Sequence, residues 1–161
     1  MRVHSLAAAA FLGVSTAVLA AQANDPIKAN DPLIGTWELN VAKSTVKLSP
    51  PEKSETRPYT LVGQELKATS SAVMMDGKTV TSSWTVVYDG KDRPETALSG
   101  DSLSLTRTDP FHSTAVEKRN GKVSLTSTRV IAPDGKSFTL TAKGTNAKGE
   151  VVSEVSVFDK K

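Results

Sequence analysis

The strongest constraint on the fold is a two-residue turn signal that recurs along the second half of the chain. Five such pairs end in glycine: Asp76-Gly77, Asp89-Gly90, Asn120-Gly121, Asp134-Gly135 and Lys148-Gly149. Asp-Gly and Asn-Gly between β-rich runs are typical of tight hairpins, because both central residues of a type I′ turn need positive φ. The recurrence therefore predicts an antiparallel sheet.

The segments between these turns are rich in Thr, Ser and Val, which favour strands. Nine strands are predicted, at residues 33–39, 56–62, 65–74, 78–88, 102–108, 111–119, 123–131, 137–143 and 151–158. Their short connections predict an all-β, antiparallel up-and-down meander that closes into a barrel of about eight to nine strands, or a closely related sandwich. A longer excursion follows the first strand at 40–53, where residues 41–46 are too short for a stable α-helix and suit a 3₁₀ turn.

Alternation along each strand predicts which side chains face inward, because successive residues point to opposite faces. The inward sets are Val80, Ser82, Trp84, Val86 and Tyr88; Leu103, Leu105 and Arg107; Val123, Leu125, Ser127, Arg129 and Ile131; Phe138, Leu140 and Ala142; and Val151, Ser153, Val155 and Val157. Many inward positions are small or polar, and aromatic residues make up only 5% of the chain. We expect a modest cavity or a narrow barrel filled by its own side chains.

The first strand carries a Gly-x-Trp motif, Gly35-Thr36-Trp37, inside the run 35–44. This opening resembles that of lipocalin and calycin barrels, and the run 35–44, with segments 88–94 and 134–149, is similar to small secreted bacterial lipocalin-like domains, most of which have no assigned activity. The resemblance implies a lipocalin-like barrel in which Gly35 and Trp37 are the structural signature. It also implies that a basic residue of a late strand, Arg129 or Lys160, closes over Trp37.

Residues 1–23 have a basic start, an apolar middle and Ala21-Gln22-Ala23 before a polar stretch, which predicts a secretory signal peptide cleaved after Ala23. Residues 24–32 repeat Asn-Asp-Pro and are interpreted as a spacer, leaving 33–161 as a single barrel domain. Without cysteine the chain has no disulfide and no lipidated cysteine. We therefore expect a periplasmic or secreted protein without a stable membrane anchor.

Two arginines, Arg107 and Arg129, share the predicted inward faces with apolar residues. An unpaired buried guanidinium is very costly, so each needs a carboxylate, an aromatic face or an anionic ligand. In one hypothesis they hold the acid head of an amphiphile in a cavity lined by Trp84 and Tyr88. In the other they have a purely structural role, at strand ends or stacked on a tryptophan.

Catalytic and metal-binding patterns are sparse. His112 is the one histidine outside the signal segment, and its neighbours Asp109 and Ser113 lie beside it without a Gly-x-Ser-x-Gly elbow. One histidine without cysteine disfavours zinc. Asp89, Asp92 and Glu95 have the ligand type for a hard cation, but the intervening Lys91 and Arg93 favour local ion pairs instead. We therefore predict no catalytic residues, no metal site and no cofactor.

Formal charge is +3 for the whole chain, and the basic residues are scattered, so a nucleic-acid surface has little support. The leading hypothesis is an exported, monomeric, non-catalytic barrel that binds a small apolar or amphiphilic molecule. Two alternatives stay open. One is a protein-binding or inhibitory module that uses loops 41–53 and 88–98. The other is an isomerase, cyclase or hydrolase that uses Tyr88, Arg107, Arg129 or His112.

Overall fold

The computed structural model describes residues 27–45, 52–94 and 101–161, and the predicted signal peptide lies outside them. The described residues form ten strands: β1 Gly35–Leu39, β2 Glu52–Val62, β3 Glu65–Met74, β4 Thr79–Val86, β5 Arg93–Pro94, β6 Ser102–Asp109, β7 His112–Arg119, β8 Lys122–Ile131, β9 Ser137–Thr145 and β10 Val151–Lys160. The nine predicted strands are all present. The tenth, β5, has only two residues, too few to give a pattern in the sequence.

All strand pairs are antiparallel and belong to one curled sheet, in the order β4-β3-β2-β1-β10-β9-β8-β7-β6-β5. Each strand pairs with the next one along the chain, except that β4 and β5 do not pair and form the two edges of the sheet. The first strand, β1, also pairs with the last, β10. The prediction of an all-β antiparallel meander is confirmed.

Four of the five predicted turns join paired strands, and the fifth does not. Asn120-Gly121 has positive φ at both positions, 51° and 71°, as a type I′ hairpin requires. Asp89-Gly90 instead leads from β4 to β5, which do not pair with each other, and the Gly90 N–H donates to the Leu105 carbonyl. Its interpretation as a hairpin was wrong, because the Asp-Gly pair specifies a local turn and not the pairing of the strands beside it.

The excursion after β1 contains the expected 3₁₀ turn, Val41–Lys43, capped by the side chain of Asn40, which accepts a hydrogen bond from the Lys43 N–H. Thr45 then forms an isolated bridge to Val155 of β10. In the part of the chain that the structure describes, no helix is long and apolar enough to cross a membrane.

The core lies at the end of the barrel that holds the start of β1. Its largest fully buried side chains are Trp37, Tyr59, Phe138, Phe158, Leu33 and Leu66. The rings of Trp37 and Phe158 both lie 4.7 Å from that of Phe138, centroid to centroid, and Trp37 Nε1–H donates to the Leu33 carbonyl over 2.8 Å. The segment before β1, predicted as a spacer up to residue 32, reaches this core through the buried Asp31.

Lys160 closes over Trp37 at this end. Its ammonium lies 5.0 Å from the centroid of the indole ring and donates to the Pro32 carbonyl over 2.9 Å. Gly35 makes room for it: φ is +134°, and a Cβ there would lie 2.6 Å from Lys160 Cε. Of the two basic residues that the sequence offered for this position, Lys160 occupies it.

The predicted inward face of β10 was wrong. Val151 and Val155 are exposed, whereas Glu154 and Phe158 are buried. The cause is register: Phe158 pairs with Phe138, and Glu154 pairs with Ala142, so the even-numbered residues of β10 share the inward face of β9. The valines had suggested the opposite face because the pattern rule assumes an apolar interior.

Val123 was also placed wrongly, since 62% of it is exposed. A register shift between β7 and β8 pairs Glu117 with Leu125 but Lys118 with Val123, and the buried Ser124 lies opposite that shift. A bulge of this kind turns one strand end to the other face. Apart from Arg107, the remaining predicted inward residues of β4, β6, β8 and β9 either line the cavity described below or belong to the core.

Candidate functional site

A cavity of about 390 Å³ occupies the barrel between the aromatic core and the opposite end. It reaches the surface near Met74 and Val80, and Val80 is 54% exposed. Half of its lining residues are apolar: Ala72, Met74, Val80, Trp84, Val86, Leu103, Leu105, Ala115, Leu125, Leu140 and Ala142. The barrel is therefore not filled by its own side chains. The small and polar residues predicted at many inward positions leave open space.

Polar side chains enter the same cavity from several strands. The charged ones are Glu52, Glu55, Arg57, Glu117, Arg129 and Glu154, and the hydroxyl-bearing ones are Tyr59, Ser70, Ser82, Ser113 and Ser127. Half of the 22 lining residues are therefore polar, more than the few fixed polar groups of a typical small-molecule site.

Arg129 is the predicted site residue with the most informative surroundings. Its guanidinium donates to Tyr59 Oη over 3.0 Å, to Tyr88 Oη over 2.6 Å and to Ser113 Oγ over 3.0 Å. It also lies over the rings of Tyr59 and Phe138, at 5.4 and 5.8 Å from their centroids. Within the described residues it forms no salt bridge. A cavity-lining cation is thus held by hydroxyl groups and aromatic rings alone.

Arg107 has a different environment. It pairs with Asp31 over 2.7 Å, and both side chains are largely buried, at 13% and 2% exposure. Its guanidinium lies 5.1 Å from the centroid of the Tyr88 ring. The hydroxyl of the same tyrosine accepts a hydrogen bond from Arg129. Neither Arg107 nor Tyr88 lines the main cavity, although Tyr88 contacts both arginines. Burial raises the pKa of the Tyr88 phenol, so it stays protonated near neutral pH.

Arg57 and Glu55 form an ion pair in the cavity wall. Glu55 Oε1 accepts hydrogen bonds from Arg57 Nε over 2.8 Å and Nη2 over 2.6 Å, and also from Ser70 Oγ. The Arg57 guanidinium lies 4.7 Å from the ring centroid of Phe158 and 5.8 Å from that of Trp84. This pair joins the aromatic core to the cavity.

Two further carboxyl groups in the wall are poorly solvated. Burial, reinforced by the charge of Glu55, raises the pKa of Glu52 to about 7. Burial also raises the pKa of Glu154, which is 9% exposed and whose buried Oε1 has no hydrogen-bond partner. The acidic groups therefore concentrate in the part of the wall formed by β2 and β10.

A second opening, of about 480 Å³, lies between the two edges of the sheet. It is lined by Ser83, Trp84, Thr85, Val87, Arg93, Pro94, Leu103 and Leu105. Trp84, Leu103 and Leu105 also line the main cavity, so these three side chains separate the interior from a slot in the side of the barrel.

The residues weighed for catalysis or metal binding have local partners. Nδ1 of His112 lies 2.9 Å from both carboxylate oxygens of Asp109, in the turn between β6 and β7. Asp89 pairs with Arg93, and Asp92 pairs with Lys118, while Glu95 lies outside the described residues. Across residues 27–45, 52–94 and 101–161, no three His, Asp or Glu residues are placed to hold a metal ion.

Sequence reasoning missed Glu52, Glu55, Arg57 and Glu154. The strand containing the first three was predicted to begin at residue 56, so the two glutamates fell in a loop. One signal was present: Arg57 and Tyr59 are two residues apart in a strand and therefore share a face. Glu154 could be found only from the pairing register of β10, which the sequence does not show.

Comparison with known proteins supports the fold. The sequence matches no protein-family model and no curated protein sequence. A point mutant of the fluorescent protein UnaG superposes with a TM-score of 0.51 at 16% identity, covering 79% of this chain and 94% of that one. Zebrafish ileal bile acid-binding protein in complex with cholic acid gives 0.49 at 15% identity, covering 81% and 99%. Lobster apocrustacyanin A1 gives 0.42 at 14% identity, covering 83% and 63%.

At 16% identity the likeness to UnaG shows the fold alone. The chain is an all-β antiparallel barrel similar in fold to that protein, and it holds an internal cavity.

Proposed function

We propose that this chain is an exported lipocalin-like protein that binds a small apolar or amphiphilic molecule inside its barrel and does not catalyse a reaction. The observation that carries the proposal is the cavity of about 390 Å³, which has an apolar wall and Arg129 as a polar group in it. Export rests on the signal-peptide pattern of residues 1–23.

Arg129 supplies a polar anchor for such a ligand. A guanidinium has five N–H donors in a fixed plane, and the structure uses them on three hydroxyl acceptors rather than on a carboxylate. A ligand oxygen that replaces or shares one of these acceptors gains a charge-assisted hydrogen bond. Trp84 provides the apolar wall nearby. Arg107 is left out of this proposal because Asp31 neutralises it.

The test is ligand titration followed by tryptophan fluorescence. The chain has two tryptophans, Trp84 in the cavity wall and Trp37 in the core beneath Lys160. Decanoate or a fluorescent aromatic sulfonate should perturb the emission of the wild type, and the change should be lost in Trp84→Phe. Ala115→Phe fills the cavity and should abolish binding, whereas Val116→Phe, one residue away on the outer face, should leave it intact.

Two results would reject the proposal. One is a wild type whose emission responds to no apolar or amphiphilic probe. The other is an Ala115→Phe variant that is folded and binds as tightly as the wild type. Native mass spectrometry of the protein from its exported fraction would then be followed by capture of a protein partner, which tests the loop-mediated alternative.

An enzyme is the second candidate, because Tyr88 contacts both Arg107 and Arg129. The raised pKa of Tyr88 keeps it protonated, so it is a poor base near neutral pH, and the cluster is better suited to holding an anion than to moving a proton. Any activity found in the purified protein should fall when Tyr88→Phe and Arg129→Lys are introduced. Unchanged turnover in both variants would exclude this cluster as its origin.

A further inference from the structure

The cavity has a second polar region, separate from Arg129. Arg129 pairs with Leu140 of β9, and Leu140 pairs with Ser156 of β10. Glu154 lies two residues further along β10, opposite Ala142, which is about 7 Å nearer the open end at the usual strand rise. Groups at Arg129 and at Glu154 therefore contact different parts of an elongated ligand.

Glu154 is an incompletely satisfied buried group. It is 9% exposed, it lines the cavity, and its buried Oε1 has no hydrogen-bond partner. Buried side-chain oxygens are nearly always hydrogen-bonded, because removing them from water without a new partner costs free energy. Because Glu154 is part of the cavity wall, rotation of its carboxyl group toward the cavity lets a donor on the occupant supply the missing hydrogen bond.

The neighbouring charges select a cationic donor over a neutral one. Glu52 and Glu55 act on one another, and Glu154 adds to the negative potential at Glu52. Glu55 already accepts from Arg57 and Ser70, so it is the satisfied member of the group. Four carboxyl groups and two guanidinium groups line the cavity, and one of these carboxyl groups, that of Glu55, is paired with Arg57.

We propose that Glu154, with Glu52 beside it, binds the ammonium group of the ligand, so that the ligand class is an amphiphile that carries a primary amine. This inference rests on the proposed function. A primary ammonium is compact and has three N–H donors, enough for the free oxygen of Glu154 and for Glu52 together. Its apolar chain then lies along Leu105, Leu125 and Leu140, on the way to Trp84 and Arg129.

The experiment compares decylamine, decanol and decanoate, which differ only at the head group, by titration on the intact barrel with tryptophan emission as the readout. At pH 8 the amine is protonated and Glu52, whose pKa is about 7, is largely ionised. We expect decylamine to bind about tenfold more tightly than decanol, the usual gain from a charge-assisted hydrogen bond. In Glu154→Gln the preference should fall to about twofold or less, because the charge is lost while the shape is kept.

Glu65→Gln is the matched control, since Glu65 is exposed and lies outside the cavity; it should keep the full preference. Glu52→Gln gives a second variant and should reduce the preference in part. Equal affinities for decylamine and decanol in the wild type would overturn the inference, as would a preference that survives in Glu154→Gln. If decanol and decanoate bind but decylamine has no advantage, only the amine subsite fails. If none of the three alters the emission, the proposed function fails with it.

Discussion

Lys160 joins three parts of the chain through a single side chain. Its ammonium lies over Trp37 of β1, donates to Pro32 in the preceding segment, and is carried on the last strand. Its alkyl stem fills the space that Gly35 leaves empty. The Gly-x-Trp motif therefore acts together with a lysine more than 120 residues away in sequence.

Replacing Lys160 by alanine should lower the free energy of unfolding by about 1–3 kcal/mol, because a cation–π contact, a hydrogen bond and the packing of its stem are lost together. The measurement is urea denaturation. Lys161→Ala is the control, since that side chain is 60% exposed and forms only a surface ion pair with Glu38. Equal losses in the two variants would contradict the role assigned to Lys160.

Asp31 and Arg107 form the most buried ion pair that the structure describes outside the cavity. Asp31→Ala should cost about 3 kcal/mol of unfolding free energy, because it leaves Arg107 buried without its counter-ion and also removes the acceptor for the Leu33 N–H. Arg107→Met in the same background should recover part of that loss. A double-mutant cycle by denaturant unfolding measures the coupling, and strict additivity of the two changes would argue against the pair.

At the scale of the element, strand positions were predictable and strand faces were less so. Turn chemistry located the hairpins, because glycine at a positive-φ position is a local requirement that the residue type itself reveals. The faces of β8 and β10 depend on a bulge and on pairing register, which are set by partners distant in sequence. Glu52, Glu55 and Glu154 of the cavity wall lie on β2 and β10, the strands whose start or face the pattern misplaced.

Cysteine labelling can test the face of β10, since the chain contains no native cysteine. Val155→Cys should react rapidly with a maleimide, because Val155 is 37% exposed on the outer face. Phe158→Cys, on the opposite face and in the aromatic core, should react at least tenfold more slowly, since buried sites exchange only through local opening. Labelling rates followed by mass spectrometry give the comparison. The reverse order would restore the valine-inward assignment of the sequence pattern.

For the whole molecule, the sequence predicted the fold. It predicted only some of the side chains that line the cavity. Alternation placed Trp84 and Arg129 on inward faces, and both line the cavity. It could not show that Asp31 neutralises Arg107, since these residues lie in different parts of the chain. Nor could it show the acidic wall, because pattern rules expect charged residues outside and are weakest where a barrel keeps an open interior.

The acidic wall should also give the protein a stability profile that depends on pH. The folded-state pKa of Glu52 is raised to about 7, so its contribution is present below its ordinary value of 4.5 and is lost as the pH rises through 7. Glu52→Gln should thus gain stability over the wild type between pH 5 and pH 8, by about 1 kcal/mol once partial exposure is discounted.

Thermal or urea unfolding at several pH values measures this difference. Glu65→Gln serves as the comparison, because Lys67 lowers the pKa of Glu65 and the substitution should bring no gain at high pH. A difference between Glu52→Gln and the wild type that stays constant from pH 5 to pH 8 would contradict the raised pKa.

The pairing of β1 with β10 also determines when the protein can fold. A hairpin forms from neighbouring residues, but β1 acquires its second partner only when residues 158–160 are available. Until β10 has been made, the second edge of β1 has no strand to pair with and the aromatic core lacks Phe158, so the barrel stays open.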